Sequence, residues 1–183
     1  MYRRPELTSA LWMTLAMLLL SQGSMAASGG KSERALALGS LYSLRGVGVC
    51  AEIGHESGTF GAFSLTADLI DILDGTASTP GVKGNYYYNL LLRESADGKY
   101  QFYMGPGLTA GHVRDLHNHI GLMGGLSVDA GFRVHCLHSI MVSAEFQADF
   151  ALQFKNRYRP DMSLYRAGFW HSYIPFVRIQ YCF

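Results

Sequence analysis

From Ile140 to Lys155 the chain alternates between apolar and polar residues. Ile140, Val142, Ala144, Phe146, Ala148, Phe150, Leu152 and Phe154 share one face. Met141, Ser143, Glu145, Gln147, Asp149, Ala151, Gln153 and Lys155 share the other. A period of two is a strand signal, and this run is far longer than the roughly 5–6 residues of a typical strand. It suits a tilted membrane strand, which needs roughly 9–11 residues plus its ends. The segment before it repeats the pattern. Ile120, Leu122, Gly124, Leu126, Val128, Ala130, Phe132 and Val134 oppose Gly121, Met123, Gly125, Ser127, Asp129, Gly131, Arg133 and His135. Only His135-Cys136-Leu137-His138 separates the two runs, so they form a hairpin.

Weaker copies fill the rest. Val47, Val49, Ala51 and Ile53 alternate with Gly48, Cys50 and Glu52. Phe63, Leu65, Ala67 and Leu69 alternate with Ser64, Thr66 and Asp68. Val82, Tyr86, Tyr88, Leu90 and Leu92 oppose Lys83, Asn85, Tyr87, Asn89 and Arg93. Asp97-Gly98 is a hairpin turn, and Tyr100, Phe102, Met104, Leu108 and Ala110 follow it. A soluble β-sandwich also alternates, but these runs are long and keep charges at mid-strand on their polar faces. The predicted strands are 47–54, 60–72, 82–94, 99–112, 119–134, 140–154 and 170–183.

Bacterial single-chain barrels have even strand numbers, short periplasmic turns and longer outer loops. The short connections, 55–59, 95–98 and 135–139, are therefore assigned to the periplasm, and 73–81, 113–118 and 155–169 to the outside. The last strand then runs down, and one further strand must rise before residue 47. Arg34 to Leu41 supplies it, turning near Ser43 to Gly46. The expectation is an all-β protein, an eight-stranded antiparallel up-and-down transmembrane β-barrel.

Composition adds compartment and class. Arg3 and Arg4 precede an apolar run, Ala10 to Leu20, and Ser24-Met25-Ala26 presents small residues at a cleavage site. The run falls short of the roughly 20 residues of a membrane helix, so it reads as an export signal. The expected division is a signal peptide at 1–26, a Gly/Ser linker at 27–33 and a barrel domain at 34–183. Fifteen basic residues stand against 14 acidic ones, for a net charge of +1. No basic patch calls for nucleic acid. The three cysteines, Cys50, Cys136 and Cys182, are far apart and odd in number, which argues against a disulfide framework.

The chain ends Val177-Arg178-Ile179-Gln180-Tyr181-Cys182-Phe183, with Val177, Ile179, Tyr181 and Phe183 on one face. Here it resembles outer-membrane β-barrel proteins, whose last strand commonly closes on Phe with apolar residues at alternate positions. The resemblance implies that this ending is read by the barrel-assembly machinery. The whole chain is similar to small barrel proteins of Gram-negative bacteria, which implies an outer-membrane location, membrane lipid as partner, and a fold rather than an activity.

An eight-stranded barrel is just wide enough for side chains to fill. Its expected lumen charges are Glu52, Asp68, Lys83, Arg93, Asp129, Arg133, Glu145, Asp149 and Arg178, acids and bases nearly in balance. Buried charges must be paired, so a self-neutralising plug is expected, with Glu145 paired to Arg133 on the adjacent strand. Inward Gly105, Gly107, Gly111, Gly121, Gly125 and Gly131 leave room for long side chains. A narrow channel is the second alternative.

The first alternative is a lipid-modifying enzyme similar to the lipid A deacylases or outer-membrane acyltransferases. His138, Ser139 and Glu145 invite that reading. In the deacylases, however, the His and Ser lie two apart on one strand face. Here they are adjacent, as are His171 and Ser172, and adjacent residues point to opposite faces. No catalytic or cofactor site follows. His112, His117 and His119 with Asp115 are spaced as metal ligands could be, but surface histidines explain them and no metal is expected. Lys155, Arg157, Tyr158, Arg159 and Arg166 suit lipopolysaccharide phosphates. Tyr86, Tyr88, Phe169, Trp170 and Tyr173 suit an interfacial girdle. The expected protein is a monomer with a structural or surface-interaction role.

Overall fold

The computed structural model describes residues 36–55, 58–75, 78–96, 98–116, 120–137, 139–156 and 160–183. The export signal, its cut after Ala26 and the linker lie outside the described residues. The described elements are β1 (Leu36–Ser43), β2 (Gly46–His55), β3 (Thr59–Asp68), α1 (Ile70–Leu73), β4 (Gly81–Glu94) and β5 (Tyr100–Arg114). They continue as β6 (Ile120–Leu137), β7 (Ile140–Asn156), β8 (Pro160–Leu164), α2 (Arg166–Trp170) and β9 (Phe176–Cys182).

Each strand from β1 to β7 pairs antiparallel with the next. β7 then pairs with β9, and β9 with β1 from Ala37↔Cys182 to Tyr42↔Val177. The result is a closed eight-stave antiparallel β-barrel. Closure satisfies the backbone donors and acceptors that an open sheet would leave at its edges. The three hairpin connections β2–β3, β4–β5 and β6–β7 lie at the end that carries Phe183. The other end carries the β1–β2 turn at Leu44 and Arg45, α1, the β5–β6 connection, and the long passage from β7 to β9.

The first strand is separate, as expected from residues 34–41. The eighth stave departs from expectation. Strand structure was predicted over 170–183 and a loop over 155–169. Instead β8 pairs with the far part of β7, from Leu152↔Leu164 to Asn156↔Pro160, and β9 pairs with its near part, from Ile140↔Tyr181 to Glu145↔Phe176. Between them the chain turns helical at α2 and rejoins the wall after Pro175, whose ring removes the N–H a ladder would use. The strand predicted over 60–72 likewise ends at Asp68. There the Asp68 carboxylate accepts the Ile70 N–H at 3.2 Å and Leu69 N–H bonds to Arg45 O, which turns the chain into α1.

The burial pattern is the reverse of a water-soluble core. Outward positions such as Leu65, Met104, Leu108, Leu126, Phe146, Phe150 and Ile179 are exposed, while inward Asn89, Asp129, Glu145, Gln147, Asp149 and Arg178 are wholly buried. Aromatic rings stand at both ends of this outer surface and also midway along it, as Phe63, Tyr86 and Phe146. Phe102 and Tyr100 lie against Phe132, and Tyr181 against Phe183, at the end with the hairpins. Phe150 meets Phe169 toward the other end, near Trp170 and Tyr173.

Candidate functional site

The period-two pattern of seven staves delivers their polar side chains to one place, the barrel interior. At its centre Arg178 of β9 reaches three carboxylates. Its Nη1 lies 2.7 Å from Glu52 Oε1, and its Nη2 lies 2.6 Å from Glu145 Oε2 and 3.9 Å from Asp129 Oδ2. Glu52 is shared, because Arg133 Nη1 contacts its other oxygen at 3.1 Å. Asp129 also accepts from Asn89 Nδ2 at 3.1 Å, and Glu145 from Tyr103 Oη at 3.2 Å and Gln147 Nε2 at 2.6 Å. The bonds to Glu52 and those from Asn89, Tyr103 and Gln147 are charge-assisted hydrogen bonds between buried or half-buried groups, the strongest kind of polar contact, while Arg178 Nη2 meets Glu145 and Asp129 as ion pairs.

The network extends along the barrel. Toward Phe183 it runs from Arg133 Nε to Gln101 Oε1, and from Gln101 Nε2 to Glu94 Oε1. The Arg133 guanidinium also stacks over the Phe60 ring, 4.2 Å from its centroid, a cation–π contact. In the other direction Asn85 Nδ2 donates to Gln147 Oε1 at 3.1 Å, and Thr109 Oγ1 donates to Asn85 Oδ1 at 2.7 Å. Beyond this the Lys83–Asp149 pair stands at 2.6 Å, both side chains buried. The inward glycines make space for rings. A Cβ on Gly131 would overlap the Tyr103 ring, and one on Gly107 would overlap Tyr87.

Seven of the nine predicted lumen charges therefore meet in this interior: Glu52, Lys83, Asp129, Arg133, Glu145, Asp149 and Arg178. Two do not. Arg93 is exposed, because the β4–β5 register shifts between Leu91 and Arg93 and turns the residues beyond the bulge over. Glu94 takes the inward-reaching role instead. Asp68 is half-buried and turns the chain at the start of α1, apart from the ion pairs. The predicted Glu145–Arg133 pair is also replaced. Glu145 sits opposite Gly131 on β6, whereas Arg178 on β9 lies opposite Ser143, one inward step along β7. From there its guanidinium reaches Glu145, and Arg133 turns across the lumen to Glu52.

Sequence reasoning did not single out Arg45, which is buried in the turn between β1 and β2. Its Nη1 donates to His171 O at 3.3 Å, and it lies 5.6 Å from the Phe176 ring centroid. A two-residue turn carries no periodicity that would aim this side chain inward.

The other candidate chemistry is dispersed. His112 is exposed on the outer face of β5, and His117, His119 and His138 lie outside the described residues. Asp115 is buried, and its Oδ1 accepts the N–H groups of Arg166 and Ala167 at 2.9 and 3.0 Å. Among the described residues no group of three His, Cys, Asp or Glu side chains is placed to hold a metal. Ser139 lies in the β6–β7 turn, while Glu145 is engaged by Arg178 inside the barrel. Arg157, Tyr158 and Arg159 lie outside the described residues, and Arg166 is exposed at the start of α2. In comparisons with known proteins, no family model and no curated protein matches the chain.

Proposed function

We propose that this chain is an outer-membrane β-barrel of a Gram-negative bacterium, exported by its N-terminal signal, with a structural or surface-interaction role rather than a catalytic one. The observation that supports this reading best is the inverted burial: an outer surface of exposed Leu, Val, Ile and Phe around an interior of paired charges. Apolar surface left in water costs roughly 25 cal/mol per Å², and soluble monomers rarely expose patches beyond a few hundred Å². Hydrocarbon removes that cost, and a closed barrel is one of the two folds whose backbone tolerates it. The aromatic rings toward both ends fit the girdles of such barrels.

The partners in this reading are membrane lipid, the assembly machinery that reads the Val177, Ile179, Tyr181 and Phe183 ending, and lipopolysaccharide at the end bearing Arg166. The working form is a monomer. The test is fractionation of expressing cells, followed by electrophoresis with and without heating. Folded, heat-modifiable protein in the outer-membrane fraction is expected. Monodisperse protein in detergent-free periplasmic extract would overturn the proposal.

A further inference from the structure

Among the described residues the wall is interrupted between β7 and the last stave, and an apolar layer lies behind the break. β7 pairs with β9 as far as Glu145 and with β8 from Leu152 onward. Between those points the described ladder on this side is replaced by the Tyr165-to-Pro175 segment, hereafter the strap, which includes α2. The strap is held by Tyr165 N–H on Ala151 O, the Asp115 carboxylate on the first N–H groups of α2, Arg45 on His171 O, and Ser43 Oγ on Pro175 O. Its inner side presents Tyr165 and Ala167, which pack with Val113, Met123 and Ala151 into a buried apolar layer. That layer lies directly above the Lys83–Asp149 pair, since Gly168 of the strap rests against Asp149. The outer side of the strap presents Phe169 and Trp170, with Phe169 against Phe150 of the apolar outer surface at 5.9 Å.

We propose that the strap is a side gate, and that the apolar layer behind it receives one acyl chain of a membrane lipid, entering between β7 and α2. This rests on the reading of the chain as a membrane barrel. Three observations point to such a ligand. The interruption opens sideways at the apolar surface, where acyl chains are the molecules present. The layer behind it is one of three apolar clusters among the described buried residues, and the one that the strap itself completes. Finally, the buried Tyr165 Oη has no hydrogen-bond partner among the described residues. A buried hydroxyl left without a partner is costly, and the ester carbonyl at the head of an acyl chain would accept from it. In the closed state Tyr165 and Ala167 occupy the layer, so admission requires the strap to swing out. Beside Tyr165, the small Ala167 and Gly168 add little side chain to extract.

The full-length protein, reconstituted in phosphatidylcholine–phosphatidylglycerol vesicles whose acyl chains carry a diazirine, is irradiated, and the labelled residues are mapped by mass spectrometry. Labels are expected on inward Val113 and Met123 as well as on outward Phe146 and Phe150. Asp115→Ala, which removes the acceptor tying α2, should raise inward labelling several-fold. Ala151→Phe, which fills the layer, should lower it several-fold and leave the outward labels unchanged. Should either variant fail to fold, the wild-type pattern decides alone. Labels confined to outward residues overturn the gate and leave the membrane reading standing. No labels on either face overturn both.

Discussion

Arg178 holds three carboxylates that would otherwise repel one another in a medium without water. Removing one partner of a buried ion pair costs about 3–5 kcal/mol, because the other charge is left uncompensated. Arg178→Met should destabilise the barrel by that order, measured by urea titration in lipid vesicles. Adding Glu145→Gln to the same chain should recover part of the loss, since one stranded charge disappears. If the double variant is as unstable as the sum of the two single changes, the two side chains are not coupled. Glycines on the two faces of β6 offer a second test at this scale. A Cβ on Gly131 would enter the space of the Tyr103 ring, whereas one on Gly124 meets only Thr109 O at 3.9 Å. Gly131→Ala should therefore cost about 1–3 kcal/mol through overpacking, and Gly124→Ala should stay within about 0.5 kcal/mol. Equal effects in urea titration would contradict the assignment of the two faces.

β7 alternates without fault from Met141 to Phe154, its odd-numbered residues inward and its even-numbered residues outward. On the membrane reading, a charge placed on the outer face at mid-strand would sit in hydrocarbon, at a cost of about 2–4 kcal/mol. Ala148→Arg should show that loss in vesicles. A silent Ala148→Arg beside a severe Ser143→Leu would mean that the outer face does not meet lipid. β9 has a different vulnerability. It is short and closes the barrel against β1, with Phe183 N–H bonded to Leu36 O and the Phe183 ring 4.9 Å from that of Tyr181. On the proposed outer-membrane reading, deleting Phe183 should leave unfolded protein in the periplasm, and wild-type levels of heat-modifiable migration would refute this. The strand faces were legible from period two alone, because every residue between hydrogen-bonded neighbours must alternate. Arg93 was misread for the same reason. A bulge adds one residue, inverts the parity beyond it, and leaves no mark in the alternation of Leu90 and Leu92.

At the scale of the whole barrel, the described lumen is filled by side chains closed off from solvent, with Arg178, Asp129, Glu145, Gln147 and Gln153 all wholly buried. Above them the layer of Val113, Met123, Ala151, Tyr165 and Ala167 seals the strap end. Hydrated ions need a continuous water-filled path, and among the described residues buried side chains occupy the interior at those levels. Purified protein in planar bilayers should therefore give no steady conductance, and stepwise single-channel currents would overturn the closed-lumen reading.

The barrel was legible because its two surfaces obey one local rule. Alternation assigns each residue to a face, the parity of strands requires an eighth stave, and the charges on the inner face announce that the interior is polar. Local rules also placed Glu52, Asp129, Glu145, Asp149 and Arg178 in that interior. What they could not supply is which charge meets which, because register and shear bring together residues far apart in the chain. Arg178 and Glu52 touch across the lumen at a sequence distance that no periodicity reports. The strap was hidden for a related reason. Residues 165–175 have neither a strand period nor enough length for a helical one, so their place is set only by contacts: Asp115 at the start of α2, Arg45 on His171, and Gly168 against Asp149. Asp115 follows β5, Arg45 lies in the β1–β2 turn and Asp149 stands on β7, and only closure of the barrel brings them within reach.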